Sequence, residues 1–248
     1  KDNYYSINFQ AFEEELKNGV EAVVICNPHN PIGRVWTDGE MEHIVDLCVE
    51  YGVYLLSDEI HADFGMTRPY TTAGRFEKIH DRLVVYTAIS KTFNMAGLGS
   101  SCMMIPNPEL KKKISDSYDA CWMFGPCDLA FTAMEAAYTH GDAWVDQQLA
   151  YLEGNVETVN TFVAEHMPGV QVTKHEGTFL MWLDMTCFGK SSQELTSILA
   201  KEYGLALGDG SHYGTQAEGF MRLNIGCTRD TLIKGLEQMA VMYDKYVK

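Results

Sequence analysis

Short apolar runs alternate with stretches of helical spacing through the first half of the chain. VEAVVIC (20–26), VYLLS (53–57), LVVYTA (83–88) and SSCMMI (100–105) each have the length and composition of a buried strand. Between the first two, Met41, Ile44, Val45, Leu47 and Cys48 recur at helical spacing. Thr37 with Glu40 three residues on forms a capping-box pattern before them, and Gly52 marks a stop after them. The opening KDNYYSINFQAFEEEL reads as an amphipathic helix running into the first strand. Strands alternating with helices predict right-handed crossovers and a mainly parallel sheet.

From about Pro126 the pattern changes. Residues 127–140 and 143–166 read as two long helices interrupted at Gly141-Asp142, and Pro168-Gly169 ends the second. Strands follow near 170–174 and 178–184, then a helix over about 192–203 with Ser191 and Glu194 as its capping box. Strands near 205–208 and 219–224 and a closing helix from about 229 complete the chain. The expected organisation is α/β. A large domain with a mainly parallel sheet spans 1–145, and a smaller α+β domain spans 146–248.

Composition narrows the function classes. Of 248 residues, 46% are hydrophobic and 21% charged, enough for a substantial core in one or two domains. Nineteen Lys and Arg against 34 Asp and Glu give a net charge of −15, which argues against nucleic acid as a partner. The one basic run, Lys111-Lys112-Lys113, reads as a solvated helix face. No stretch approaches the roughly 18 apolar residues of a membrane span, and the polar N-terminus has no signal-peptide core. The seven Cys include no C-x-x-C pair and mostly sit in apolar runs. They are expected as buried, reduced thiols of a cytoplasmic protein, with no metal site. Neither G-x-G-x-x-G nor a Walker-type loop follows any strand. Trp122, Met123 and Phe124 suit either the core or a dimer interface.

The candidate chemistry is a matter of position. Ligands of open parallel sheets bind beyond the carboxyl ends of the strands. Three strands here are followed at once by polar or reactive residues: Asn27-Pro28-His29-Asn30-Pro31, then Asp58-Glu59-Ile60-His61, then Ser90-Lys91. Taken singly each has a bland reading. Lysines after strands are usually solvated, Asp at a strand end often caps a helix, Asn-Pro is a common turn, and an arginine such as Arg222 is often salt-bridged within its sheet.

The motifs NPHNPIGRVW (27–36), SDEIHADF (57–64), SKTFNMAGL (90–98) and GFMRLN (219–224), in this order, change that weighing. Together they resemble the fold-type I pyridoxal phosphate (PLP) enzymes of the aminotransferase class I/II superfamily, over nearly the whole chain. Within it they look most like the bacterial cystathionine β-lyase (C–S lyase) subgroup. His61 stands where aminotransferases more often carry Tyr. Gly99 stands where many members carry a phosphate-binding Arg, which the C–S lyase subgroup also lacks.

The resemblance implies a role for each residue. Lys91 is the lysine that bonds covalently to PLP and then moves the substrate α-proton. Asp58 pairs with the pyridine nitrogen, which keeps the ring an electron sink. Asn30 donates to the ring oxygen, and His61 takes the place of the Tyr that bonds the same oxygen. Ser90 binds the phosphate. Arg222 grips the substrate α-carboxylate through two parallel bonds.

The implied activity is α,β-elimination on a sulfur amino acid, giving pyruvate, ammonia and a thiol. Transamination shares the early steps and stays open. The resemblance further implies a small amino-acid substrate and, for the full-length form, a homodimer. In that superfamily the phosphate cup and the ring-stacking aromatic precede the first motif, where this chain has 26 residues. A partial large domain lacking that N-terminal segment, and a catalytically incomplete fragment, are therefore also expected.

Overall fold

A computed structural model describes residues 3–123 and 125–247. In the first half, α1 (Phe9–Lys17), β1 (Ala22–Cys26), α2 (Asp38–Glu50), β2 (Tyr54–Asp58), β3 (Leu83–Thr87), the single-turn α3 (Ile89–Thr92), β4 (Cys102–Met104) and α4 (Pro108–Ala120) follow in order. Thr37 and Glu40 form the reciprocal capping box at the start of α2. That helix buries Met41, Ile44, Val45, Leu47 and Cys48, the residues its spacing marked. Each such side chain contributes about 1.5–3 kcal/mol on burial. Leu47 joins Leu16 of α1 and Val53 in one cluster, against which Phe9, Phe12, Val20, Val23 and Tyr51 pack.

The strands form a sheet in the order β1-β2-β3-β4. The β1–β2 and β2–β3 pairs are parallel. The β3–β4 pair is antiparallel, so the sheet is mixed at its last strand. Asp58 ends β2 with Cys26 opposite it on one side and Tyr86 on the other.

Two expectations about burial need correction. β1 was read as buried, yet Ala22 is exposed and Val24 is 71% exposed. β1 is an edge strand. Its Val23 face packs on the α1–α2 cluster, while the alternate face has no such cover. The cysteines were expected buried, but only Cys48 is. Cys121 and Cys127 are exposed and the other four are intermediate. The two exposed thiols follow from their places. Cys121 is the C-cap of α4, none of whose residues is buried, and Cys127 is the N-cap of α5. Trp122 and Met123, 77% and 55% exposed, lie outside this chain's core; Phe124 lies outside the described residues. The basic run behaves as expected on α4, with Lys112 paired to Asp116 at 2.7 Å on an exposed face.

The second half opens with α5 (Asp128–His140) and α6 (Asp142–His166), broken at Gly141 as the pattern predicts. Then come β5 (Gln171–Val172), β6 (Leu180–Asp184), α7 (Ser192–Tyr203), β7 (Gly208–Asp209), β8 (Phe220–Asn224) and α8 (Arg229–Tyr246). The strand expected at 205–208 is thus the two-residue β7, which begins where the apolar run ends. Ser191 and Glu194 cap α7 reciprocally. The strands pair antiparallel throughout in the order β5-β6-β8-β7. β6 lies inside, with Leu180–Leu183 all buried. Leu195, Leu199, Leu232, Leu236, Met239 and Met242 of α7 and α8 add to the buried set.

The chain divides into two compact units. The N-terminal unit holds residues 6–29 and 35–147. The C-terminal unit holds residues 3–5, 30–34 and 148–247. Among the described residues no helix is long and apolar enough to cross a membrane, and no group of three His, Cys, Asp or Glu side chains is placed to hold a metal ion.

Candidate active site

In the N-terminal unit the candidate residues stand at the carboxyl ends of adjacent parallel strands. Asp58 is half-buried. Its Oδ1 accepts from the Ile60 amide at 3.2 Å, which turns the chain out of β2. Its backbone oxygen accepts from the Asn27 amide at 3.0 Å, and the Glu59 amide donates to the Tyr86 carbonyl at 2.9 Å. Asn27 is fully buried between two loops. Its Nδ2 donates to the Thr71 carbonyl at 2.9 Å and its Oδ1 accepts from the Trp36 amide at 3.0 Å. Asn27-Pro28 and Asn30-Pro31 are both cis.

Glu59 beside Asp58 is a buried structural carboxylate. Ser57 Oγ at 2.8 Å, the Ala73 amide at 2.9 Å and the Tyr70 hydroxyl all donate to it. Burial holds its carboxyl above the ordinary value, and the Ala73 amide and the Ser57 hydroxyl oppose that shift. His61 follows two residues on, 2% exposed, with its ring 6.1 Å from that of Phe64.

Lys91 and Ser90 sit on α3, directly after β3. The turn is anchored by its buried members Ile89 and Thr92. Thr92 Oγ1 donates to Asp63 at 2.6 Å, and Trp144 Nε1 donates to the Thr92 carbonyl at 3.3 Å. Ser90 and Lys91 are left half-buried. Among the described residues the Lys91 amine has no hydrogen-bond or ion-pair partner. Gly99 adopts left-handed backbone (φ +58°) after the short turn at Ala96–Leu98.

In the C-terminal unit the structure brings Asn30 and Arg222 together. Arg222 Nη1 donates to Asn30 Oδ1 at 3.1 Å. Arg222 lies on β8 between Trp182 of β6 and Gly208 of β7. Its guanidinium carbon is 5.4 Å from the centre of the Tyr213 ring. A Cβ on Gly208 would stand 3.2 Å from Arg222 Cβ and Nε, so a glycine there leaves the arginine its room. Among the described residues Arg222 has no carboxylate partner, so the salt-bridged reading does not apply.

Pattern reasoning missed the supports around these residues. Asn27 and Glu59 lie inside the quoted motifs but act through Thr71 and Ala73, which carry no motif. Arg34 also lies inside a motif, and its partner Glu176 is 142 positions away. Only the fold brings them together.

Comparison with known proteins settles the family. The description "Aminotransferase class I and II" matches residues 1–239. The chain belongs to this family. A cystathionine beta-lyase of Bacillus subtilis, PatB, is 38% identical over 242 residues, covering 96% of this chain and 62% of that protein. Cystalysin of Treponema denticola, whose structure contains pyridoxal 5'-phosphate, superposes with a TM-score of 0.93 at 31% identity, covering 100% of this chain and 64% of that one. The PLP-bound C-S lyase of Staphylococcus hominis superposes with a TM-score of 0.90 at 27% identity, covering 99% and 64%. As a family member the chain spans about 62% of the length of PatB.

Proposed function

We propose that this chain carries the reactive lysine and the substrate-binding arginine of a PLP-dependent C–S β-lyase that eliminates thiols from sulfur amino acids. The observation that carries the reading is the pair Asp58 and Lys91. A carboxylate and an amine with no ion-pair partner among the described residues stand at the ends of adjacent parallel strands, in a chain 38% identical to a cystathionine beta-lyase. The donor set suits the cofactor. It offers a carboxylate for a pyridinium nitrogen, an amine for an aldehyde, an amide donor for a phenolic oxygen and a hydroxyl for a phosphate.

Bound pyridoxal phosphate would supply an electron sink for the carbanion formed at the substrate Cα. The chain's residues do the rest. Lys91 holds the cofactor aldehyde before substrate arrives and afterwards, as the free amine, accepts the Cα proton. Asp58 keeps a proton on the ring nitrogen by charge-assisted hydrogen bonding. Asn30 donates from Nδ2, since its Oδ1 already accepts from Arg222. His61 would serve the same ring oxygen in place of a Tyr, and Ser90 Oγ donates to phosphate. Arg222 binds the α-carboxylate through its remaining N–H groups.

Once the Cα–H bond breaks, the electrons left at Cα form a Cα–Cβ double bond, the Cβ–S bond breaks with its electrons on sulfur, and the thiolate takes up the proton that Lys91 accepted. Water then converts the released enamine to pyruvate and ammonia.

Transamination is the second reading, favoured by the family description itself. Pyruvate formed from cystathionine without any keto acid supports elimination. Turnover that requires a keto acid and yields no pyruvate overturns it. The same reading makes the whole protein a cytoplasmic homodimer. The exposed large apolar side chains Trp122, Leu129 and Phe131 support the dimer. Sedimentation velocity tests it, and a monomer at micromolar concentration counts against it.

A further inference from the structure

Residues 30–34 belong to the C-terminal unit, although the chain on both sides of them belongs to the N-terminal one. Two sets of contacts hold them there. The Gly33 carbonyl accepts from the amides of Glu176 at 2.7 Å and Gly177 at 3.0 Å. The Arg34 side chain is 0% exposed and Glu176 1%, with Arg34 Nε 2.8 Å from Glu176 Oε2. Arg34 Nη1 donates to the Tyr5 carbonyl. The Tyr4 ring centre lies 4.2 Å from the guanidinium carbon, and the Tyr4 hydroxyl donates to Glu176 Oε1 at 3.4 Å.

Such a pair is a poor source of net stability. Desolvating both ions costs several kcal/mol apiece, and well-packed apolar replacements are often as stable or more so. What a buried planar guanidinium provides is direction. Its N–H groups point in set directions, and here they are tied to a carboxylate and a carbonyl while an aromatic ring covers its face. Asn30 lies four residues before Arg34, with the rigid ring of Pro31 between them. An anchor at Gly33-Arg34 therefore limits where Asn30 can sit, and Asn30 is the residue that meets Arg222.

We propose that Arg34 is a positioning residue, whose ion pair with Glu176 holds Asn30 against Arg222 so that the Asn30 amide presents its Nδ2 donor. This rests on the proposed lyase reading only for what that donor serves.

The double variant Arg34→Met/Glu176→Met removes both charges together, and Arg34→Lys keeps the charge without the fork. Hydrogen exchange of the cofactor-free protein should rise about tenfold at the amides of 32–34 in the double variant, and less in Arg34→Lys, with little change in α7 or α8. In PLP-loaded protein the pH midpoint of the cofactor absorbance should move up by about one unit, because losing a donor disfavours an anionic oxygen. Exchange that rises equally throughout the C-terminal unit would mark a merely structural pair and overturn the proposal. So would an unchanged midpoint in a folded double variant. If the double variant does not fold, Arg34→Lys decides in the same way. If wild-type protein shows no Lys91-dependent band, the lyase reading fails, while the exchange data still decide whether Arg34 positions the segment.

Discussion

Gly33 shows how little room the loop after β1 leaves at single residues. Its backbone is left-handed (φ +71°), and a Cβ would lie 2.5 Å from His175 Nδ1. Gly33→Ala therefore combines backbone strain with a clash against a buried ring. A loss of about 2 kcal/mol is expected, read as a lower urea midpoint at an unchanged slope. At Cys48, burial pushes the thiol up to about 11, whereas Cys121 and Cys127 are exposed. Iodoacetamide on native protein should alkylate those two first and leave Cys48 unmodified until the chain unfolds. Early labelling of Cys48 would show that the α2 core opens. Arg222→Lys keeps the charge but not the paired geometry. It should raise KM for the amino acid by about tenfold or more, and more than it lowers kcat.

Among the elements, helices with local signals were the most legible. Thr37/Glu40 and Ser191/Glu194 set the starts of α2 and α7 because a capping box is closed within four residues. Ser191→Ala should lower stability by about 1 kcal/mol, measured by thermal unfolding. Strand direction and exposure were less legible, because neither is local. Of the run 100–105 only Cys102–Met104 form a strand, and its antiparallel pairing with β3 depends on the connection between them. Val24 looks like a core residue until its face of β1 is seen to lack the cover that Val23 has.

The segment between β5 and β6 adds a pH dependence that no motif announces. Burial lowers His175 from 6.5 to about 4, with the Thr178 carbonyl and Glu176 opposing the shift. Between those values the unfolded chain binds a proton that the folded chain does not. Stability therefore falls as pH drops from 6.5 toward 4, by about 3 kcal/mol in all. Urea midpoints at pH 7 and pH 4.5 check this. His175→Gln should flatten the dependence, and an unchanged slope in that variant would show that other groups cause it.

At the scale of the whole molecule, the two units differ in how their chemistry could be read. Asp58 ends its strand and Ser90 and Lys91 come just after theirs, so apolar run plus polar ending was enough to place them on one sheet edge. The meeting of Asn30 with Arg222 spans 192 positions and came only with the fold. The same holds for Arg34 and Glu176. In both cases a motif supplied the residue type and the tertiary structure supplied the partner. Family membership extends along residues 1–239, while the chain spans about 62% of the length of PatB.

The reading therefore turns on whether Lys91 itself bonds the cofactor. Borohydride reduction of the protein after addition of PLP, followed by peptide mapping, tests this directly. The expected result is a single phosphopyridoxyl group on the peptide containing Lys91, absent in Lys91→Ala. Modification scattered over surface lysines such as Lys111–Lys113, or unchanged by that substitution, would contradict it.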